Sequence, residues 1–318
     1  MAEWLIERGT GETRAVLVDG GAIVEARIEI DGVIRAGTVL GARLTDVGQA
    51  GRNALATSAD GAEYLLPKAP GGVTQGAVLN IEVVREAIPG GEPWKRPLAR
   101  VTDAPPTPAP ALSGHEIAFP SPGRNELSEA GWDDLVEQAR TGVVEFAGGA
   151  LRIATTPAMT LIDVDGQLAP AELAVAGASA AARAIRRLGI GGSIGIDLPT
   201  TGAKAARQAA AAAIDQQLPQ PFERTAVNGF GFVQLVRPRS RPSLLEIWSD
   251  LAAAEARALL RFAASGSGPR RLTAHPAVIA VIERNPGWLD ALARQVGGAV
   301  ALRSDPSLAI SAGHVEPA

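Results

Sequence analysis

Residues 158–166, Ala-Met-Thr-Leu-Ile-Asp-Val-Asp-Gly, and residues 184–197, Ala-Ile-Arg-Arg-Leu-Gly-Ile-Gly-Gly-Ser-Ile-Gly-Ile-Asp, decide how this chain is read. In the first, an apolar run from Met159 to Ile162 ends on Asp163, and Asp165 follows two residues later. The pleat of a strand puts both carboxylates on one face. In the second, a strand from Ser193 to Leu198 carries Asp197. Between them, Pro170 to Leu188 is an alanine-rich helix with Arg183, Arg186 and Arg187 near its end, where they suit the helix dipole, and Gly189 to stop it. Strand, helix and strand in succession, continued by a helix over 202–218 and a strand over 225–236, predict a sheet with parallel neighbours joined by right-handed crossovers. The ends of such strands open into one crevice, so two or three carboxylates converge there.

Like charges held together repel unless a cation lies between them. Hard oxygen donors suit magnesium or manganese, and such an ion activates water and neutralises a phosphoryl oxygen. The chemistry expected is metal-assisted phosphodiester hydrolysis. A strand-end Asp also serves as a helix cap or turn former, and spacing alone leaves both readings open.

Outward from this centre, Val143–Phe146 and Ala150–Ala154 predict a hairpin around Gly148 and Gly149. Downstream, Gly202 to Leu218 predicts a second helix and Thr225 to Val236 a further strand. Near the amino terminus, Arg14–Val18 and Ile23–Ile30 flank the turn Asp19-Gly20-Gly21 as a hairpin. Short strands with glycine turns follow over 37–44, 52–57, 63–67 and 78–85, at the spacing of a small OB-type barrel. Residues 103–113 are proline-rich and too poor in donors to join a sheet, which marks a boundary. A helix over 128–140, capped by Ser128, opens the next part. The end of the chain predicts a helix over 244–264, a strand over 271–274, helices over 276–284 and 287–296, a strand over 299–303 and a loose tail. The expected class is α/β (α+β), divided into 1–35, a barrel at 36–102, a linker at 103–113, a core at 114–243 and a small α/β unit at 244–318.

The segments Gly148-Gly-Ala-Leu-Arg-Ile153, 158–166 and 184–197, in that order and with those turn glycines, resemble the catalytic core of the ribonuclease E/G family. Val227-Asn-Gly-Phe-Gly-Phe-Val-Gln-Leu-Val-Arg-Pro-Arg239 is similar to the family's strand ending in a basic segment, and Glu12-Thr-Arg-Ala-Val-Leu-Val18 to its opening strand. The resemblance implies an RNase H-like catalytic core, an inserted OB-fold RNA-binding domain at 36–102, magnesium held by Asp163 and Asp197, and cleavage of single-stranded RNA. Asp165 stands where the family has asparagine, residues 174–176 replace an asparagine-rich turn, and Gln234 stands where the family has Glu. The segment holding the family's 5′-end pocket is replaced by 103–140. The cysteines of its zinc link are absent, so no zinc is expected, and a homodimer through the small C-terminal unit stays open. These departures leave a second reading, an RNA-binding or assembly protein on the same scaffold without activity.

Composition narrows the rest. The chain has no cysteine, which excludes disulfides and thiolate chemistry and suits a reducing compartment. No apolar run reaches a bilayer span and residues 1–6 lack signal-peptide order, so the expected location is the cytoplasm, away from membranes. A net charge of −4 argues against nucleic-acid binding through bulk charge, and 4% aromatic content against an extended stacking surface. RNA contacts must therefore be local. Arg237, Arg239 and Arg241 are candidates for backbone phosphates, and Tyr64 and Lys68 for stacking and pairing in the barrel. Residues 189–192 follow a helix and precede a strand, the wrong order for a phosphate-cradling loop. His115, His275 and His314 have no metal-ligand spacing.

Overall fold

The computed structural model describes residues 2–48, 52–68, 71–89, 96–121 and 125–318. Period-two alternation near the amino terminus builds a meander of β1 (Glu3–Arg8), β2 (Glu12–Asp19) and β3 (Ala22–Ile30), each antiparallel to the next. The chain then leaves this sheet for β4 (Val39–Asp46), β5 (Arg52–Ser58), β6 (Glu63–Lys68), β7 (Val78–Arg85) and β8 (Leu98–Val101). These close into a five-stranded barrel in the order β4-β5-β6-β8-β7. β7 pairs with β4, and β8 lies between β6 and β7, parallel to the former. That connectivity fits an OB-type barrel. Small residues on its inner face, Ala42, Ala54, Ala56 and Ala99, leave room for Leu44, Tyr64, Leu66 and Ile81.

The proline-rich segment returns the chain to the first sheet, where β9 (His115–Ile117) runs parallel to β1. It does reach a sheet: Val39 and Thr107 exchange both backbone hydrogen bonds, at 2.8 and 2.9 Å. Thr107 retains an N–H to give, which its proline neighbours lack. The next helix is two, α1 (Glu126–Glu129) and α2 (Trp132–Thr141), and the cap is Asn125, whose side chain accepts from Leu127 and Ser128 N–H.

The second sheet and its helices follow: β10 (Val143–Phe146), β11 (Gly149–Thr155), β12 (Thr160–Gly166), α3 (Pro170–Arg187), β13 (Gly192–Asp197), α4 (Lys204–Gln217), β14 (Glu223–Arg224) and β15 (Phe232–Arg237). Its strand order is β10-β11-β12-β13-β15-β14. Of the neighbours expected to be parallel, only β12 and β13 are; β15 is antiparallel to β13. The reason lies in residues 225–231. They do not extend β15 but carry the chain back along the sheet to a turn at Asn228–Gly231, so that β15 enters from the end where β13 finishes.

Helix α3 is alanine-rich because it is buried on several sides, against β11 and β12, against α4, and against β3 of the first sheet. Ile162, Val164, Ile194 and Ile196 point into this core with Ala178, Ala181 and Ile185. At Gly177 the helix comes so close to β12 that an added Cβ would lie 2.3 Å from Val164 Cγ1. Valine is stiff at χ1 and this one is buried, so it cannot swing away. Gly177→Ala is therefore expected to destabilise the protein by about 1–3 kcal/mol, although alanine is the better helix former. Urea unfolding measures this, and a more stable variant would refute the close packing.

The expected helix over 244–264 is broken into α5 (Leu244–Ser249) and α6 (Leu251–Ala264) by Asp250, which caps the second by accepting from Ala253 N–H. The remainder is β16 (Arg270–Ala274), α7 (Pro276–Glu283), α8 (Pro286–Val296), β17 (Val300–Ser304) and β18 (His314–Pro317). The tail is not loose, since β18 pairs antiparallel with β16. This unit has its own core, with Leu260, Leu272, Ile282 and Leu292 fully buried. Buried ion pairs tie it to the first sheet: Glu12 accepts from Arg14 at 2.6 Å and from Arg257 at 2.7 Å, and Arg261 pairs with Glu7. Among the described residues no helix is long and apolar enough to cross a membrane.

Candidate functional site

Along β12 burial alternates strictly. Thr160, Ile162 and Val164 face the core, while Leu161, Asp163 and Asp165 face solvent. The parallel pairing with β13 aligns Ile162 with Ile196 and Asp163 with Asp197. Residues matched across a parallel pair share a face. The two carboxylates therefore stand side by side on the open face, on backbones about 4.8 Å apart, and both are exposed. Adjacent buried isoleucines hold their register.

Asp165 shares this face but lies beyond the last paired residue of β13. Its Oδ2 is 3.9 Å from Arg152 Nε, and among the described residues no group of three His, Asp or Glu side chains gathers to hold a metal. The third carboxylate thus stands one step along the strand from the Asp163–Asp197 pair, on the same face. Arg152 is the cross-strand partner of Asp163 on β11, which puts a guanidinium beside the pair. Gln234 lies on the other side, opposite Gly195, and donates to Ser193 Oγ at 3.1 Å.

No family model matches the chain, and no curated protein matches it. The case for a function therefore rests on the residues themselves.

The basic segment lies away from the two carboxylates. β15 runs antiparallel to β13, so Arg237 is opposite Gly192, at the start of the strand that Asp197 ends. Five residues of strand separate the two positions, roughly 17 Å. There Arg237 donates to the Ile190 carbonyl at 3.2 Å, Arg239 pairs with Glu246, and Arg241 pairs with Glu25 at 3.1 Å. With Arg27 and Arg186 they line a cleft of about 230 Å³. Burial holds the Arg237 and Arg241 guanidiniums below their ordinary pKa. The Glu25 carboxyl, which burial would raise, is held below its usual value by Arg27 and Arg241. These are cations built into a wall, remote from Asp163 and Asp197.

In the barrel, Tyr64 cannot stack on a base: it is 2% exposed, inside the core. Its position on β6 faces inward, and alternation alone does not say which side of a barrel strand is the interior. Lys68 is exposed at the end of β6.

Two residues near the carboxylates were not singled out by sequence. Arg152 reads as an ordinary polar-face residue until register sets it against Asp163. Phe230 reads as part of a strand, yet it is 82% exposed in the turn before β15. A lone aromatic between Gly229 and Gly231 was the available signal.

Proposed function

We propose that this protein is a metal-dependent endoribonuclease of the ribonuclease E/G type, cleaving single-stranded RNA by phosphodiester hydrolysis. On this reading residues 1–35 and 114–243 form an RNase H-like core and the barrel binds RNA. The observation that carries it is the alignment of Asp163 with Asp197 across the parallel pair, both exposed on an open sheet face.

The donor set suits magnesium or manganese, which bind through one or two carboxylates and complete their shells with water and substrate oxygens. Asp163 and Asp197 would hold the ion. When bound, such an ion supplies charge neutralisation at the phosphoryl oxygen and lowers the pKa of water. Arg152, the cross-strand partner of Asp163, adds a donor for a second phosphate oxygen. The Gln234 amide, neutral and tied to Ser193, contributes a hydrogen bond without adding a third negative charge. The open face is accessible to a flexible strand.

The test is cleavage of an end-labelled, unstructured RNA by the purified protein with and without magnesium. Internal cuts that require the metal support the reading. The alternative, an RNA-binding protein without activity, is favoured by the engagement of Asp165 with Arg152, and predicts bound but intact RNA.

A further inference from the structure

A groove of about 370 Å³ runs along α4, between that helix and residues 224–227. Ala211, Ala212 and Ala226 line its floor, and Lys204, Arg207 and Arg224 stand on its walls. Asp215, the one carboxylate among the described residues that line it, is already neutralised: it accepts from Arg224 Nε at 2.8 Å, and this hydrogen bond holds its carboxyl below the usual range. The groove therefore carries surplus positive charge from Lys204 and Arg207. Lys204 is exposed and engages no other side chain among the described residues. Arg207 spends one nitrogen on the carbonyls of Thr201 and Gly202, at 2.9 and 3.3 Å, which fixes its plane and leaves its other donors to the groove. The first turn of α4 has no acidic residue to offset this charge.

The loop that leads into α4 is hydrogen-bonded to the turn that carries Phe230. Thr200 Oγ1 donates to the Phe230 carbonyl at 2.9 Å, and the next residue, Thr201, is the one gripped by Arg207. The turn that presents the ring is rigid. Asn228 Oδ1 accepts from both Phe230 N–H and Phe232 N–H, at 2.9 and 3.0 Å. Gly231, at φ +95°, packs so tightly on Leu198 that a Cβ would lie 2.1 Å from its carbonyl oxygen. A phenylalanine held out in water on a fixed turn forgoes the burial a ring of its size normally gains. It is presented for something flat.

We propose that Phe230 and the α4 groove form a subsite for a nucleotide flanking the cleaved bond, its base stacked on Phe230 and its phosphate held between Lys204 and Arg207. This rests on the reading of Asp163 and Asp197 as an RNA-cleaving pair. Phe232 is the register partner of Asp197, so a strand leaving the carboxylates over the end of β13 meets Phe230 next. Stacking on an aromatic face accepts any base, so the subsite sets the path of the strand and not its sequence.

The experiment measures binding of a fluorescent single-stranded RNA of about 12 nucleotides with EDTA present, so that cleavage does not intervene. Phe230→Ala, Lys204→Glu and Lys204→Ala are compared with the wild type. All three change exposed side chains, and circular dichroism checks that the fold is kept. Phe230→Ala is expected to weaken binding at least about fivefold. Lys204→Glu should weaken it at low salt, and Lys204→Ala should reduce the log–log salt slope by about 0.7, one phosphate contact on a single strand. Unchanged affinity and slope in every variant overturn the subsite. Magnesium-dependent cleavage with unchanged kcat/KM in Phe230→Ala and Lys204→Glu also overturns it and leaves the nuclease reading intact. Weakened binding by the variants, with a wild type that never cleaves, retains the groove as an RNA site and removes the nuclease reading.

Discussion

Asp163→Asn and Asp197→Asn are each expected to reduce magnesium-dependent RNA cleavage by about 10²–10³-fold or more, while leaving the folded protein at least as stable as the wild type. On the proposed function each change removes half of the donor set for the ion, which the neighbouring carboxylate alone would not replace. The fold has no use for either charge, because both side chains are exposed and neither makes an ion pair among the described residues. Like charges directly opposite on neighbouring strands cost roughly 0.2–1 kcal/mol, so neutralising one relieves a repulsion. A melting temperature that holds or rises, together with lost cleavage, is the signature of a site that trades stability for function. Asp165→Asn is the control, with an expected loss below tenfold, since it acts only through Arg152. Cleavage that survives in either of the first two variants would refute the site. A drop in melting temperature in both would mean the aspartates serve the fold.

The largest stability effect is expected at Arg257. This residue is 2% exposed and donates to Glu12, which burial would push up but which Arg14 and Arg257 together hold below its ordinary value of 4.5. Arg257→Ala leaves Glu12 buried with one partner in place of two and should cost about 3–5 kcal/mol. The neighbouring pair is less well satisfied. Burial raises the Glu7 carboxyl and pushes Arg261 down to about 10, and Glu7 Oε2 and Arg261 Nη1 are buried without hydrogen-bond partners among the described residues.

The pH dependence follows from the directions of these shifts. The depressed Glu12 contributes stability that is present above its unfolded pKa and lost as pH falls through its folded value. Glu7, raised, works the other way: its contribution is present below its unfolded pKa and lost as pH rises through its folded value. The gap between wild type and Arg257→Ala should therefore narrow as pH falls below 4.5, read from urea unfolding at neutral and acid pH. A gap that stays constant would mean Arg257 acts through the packing of its stem.

Much of the centre was legible because local pattern and tertiary environment agree there. The apolar run ending on Asp163, the alanine-rich helix and the strand ending on Asp197 all stand where the pattern puts them, and the short strands read over 37–85 form a closed barrel together with β8, which the pattern did not mark. Strand direction was less legible. The 225–236 stretch alternates like one long strand, but Asn228 folds it into a turn by accepting two backbone N–H groups, and that turn reverses β15 and carries its arginines away from the carboxylates. Asp250 likewise reads as an ordinary helical residue and is a cap. Tyr64 shows the third kind of difficulty, since a half-polar ring fits the inside and the rim of a barrel equally well by composition. Pairing between distant segments, as for β9 and β18, has no local signal to read.

The barrel's place in the chain bears on how the molecule assembles. β1 pairs with β9, joining Leu5 to His115 across an interval on the order of a hundred residues that holds β2, β3 and the whole barrel. Closing so long a loop early is entropically expensive. Once the barrel has formed, the Val39–Thr107 bridge brings its two ends together, shortening the effective loop and lowering the closure cost by about 1 kcal/mol. The barrel thus acts as a folding clamp for the sheet around it. Loosening its interior, as by Leu66→Ala, should slow refolding of the whole chain as followed by Trp132, a residue that the barrel does not touch; an unchanged refolding rate would place the two assemblies in parallel.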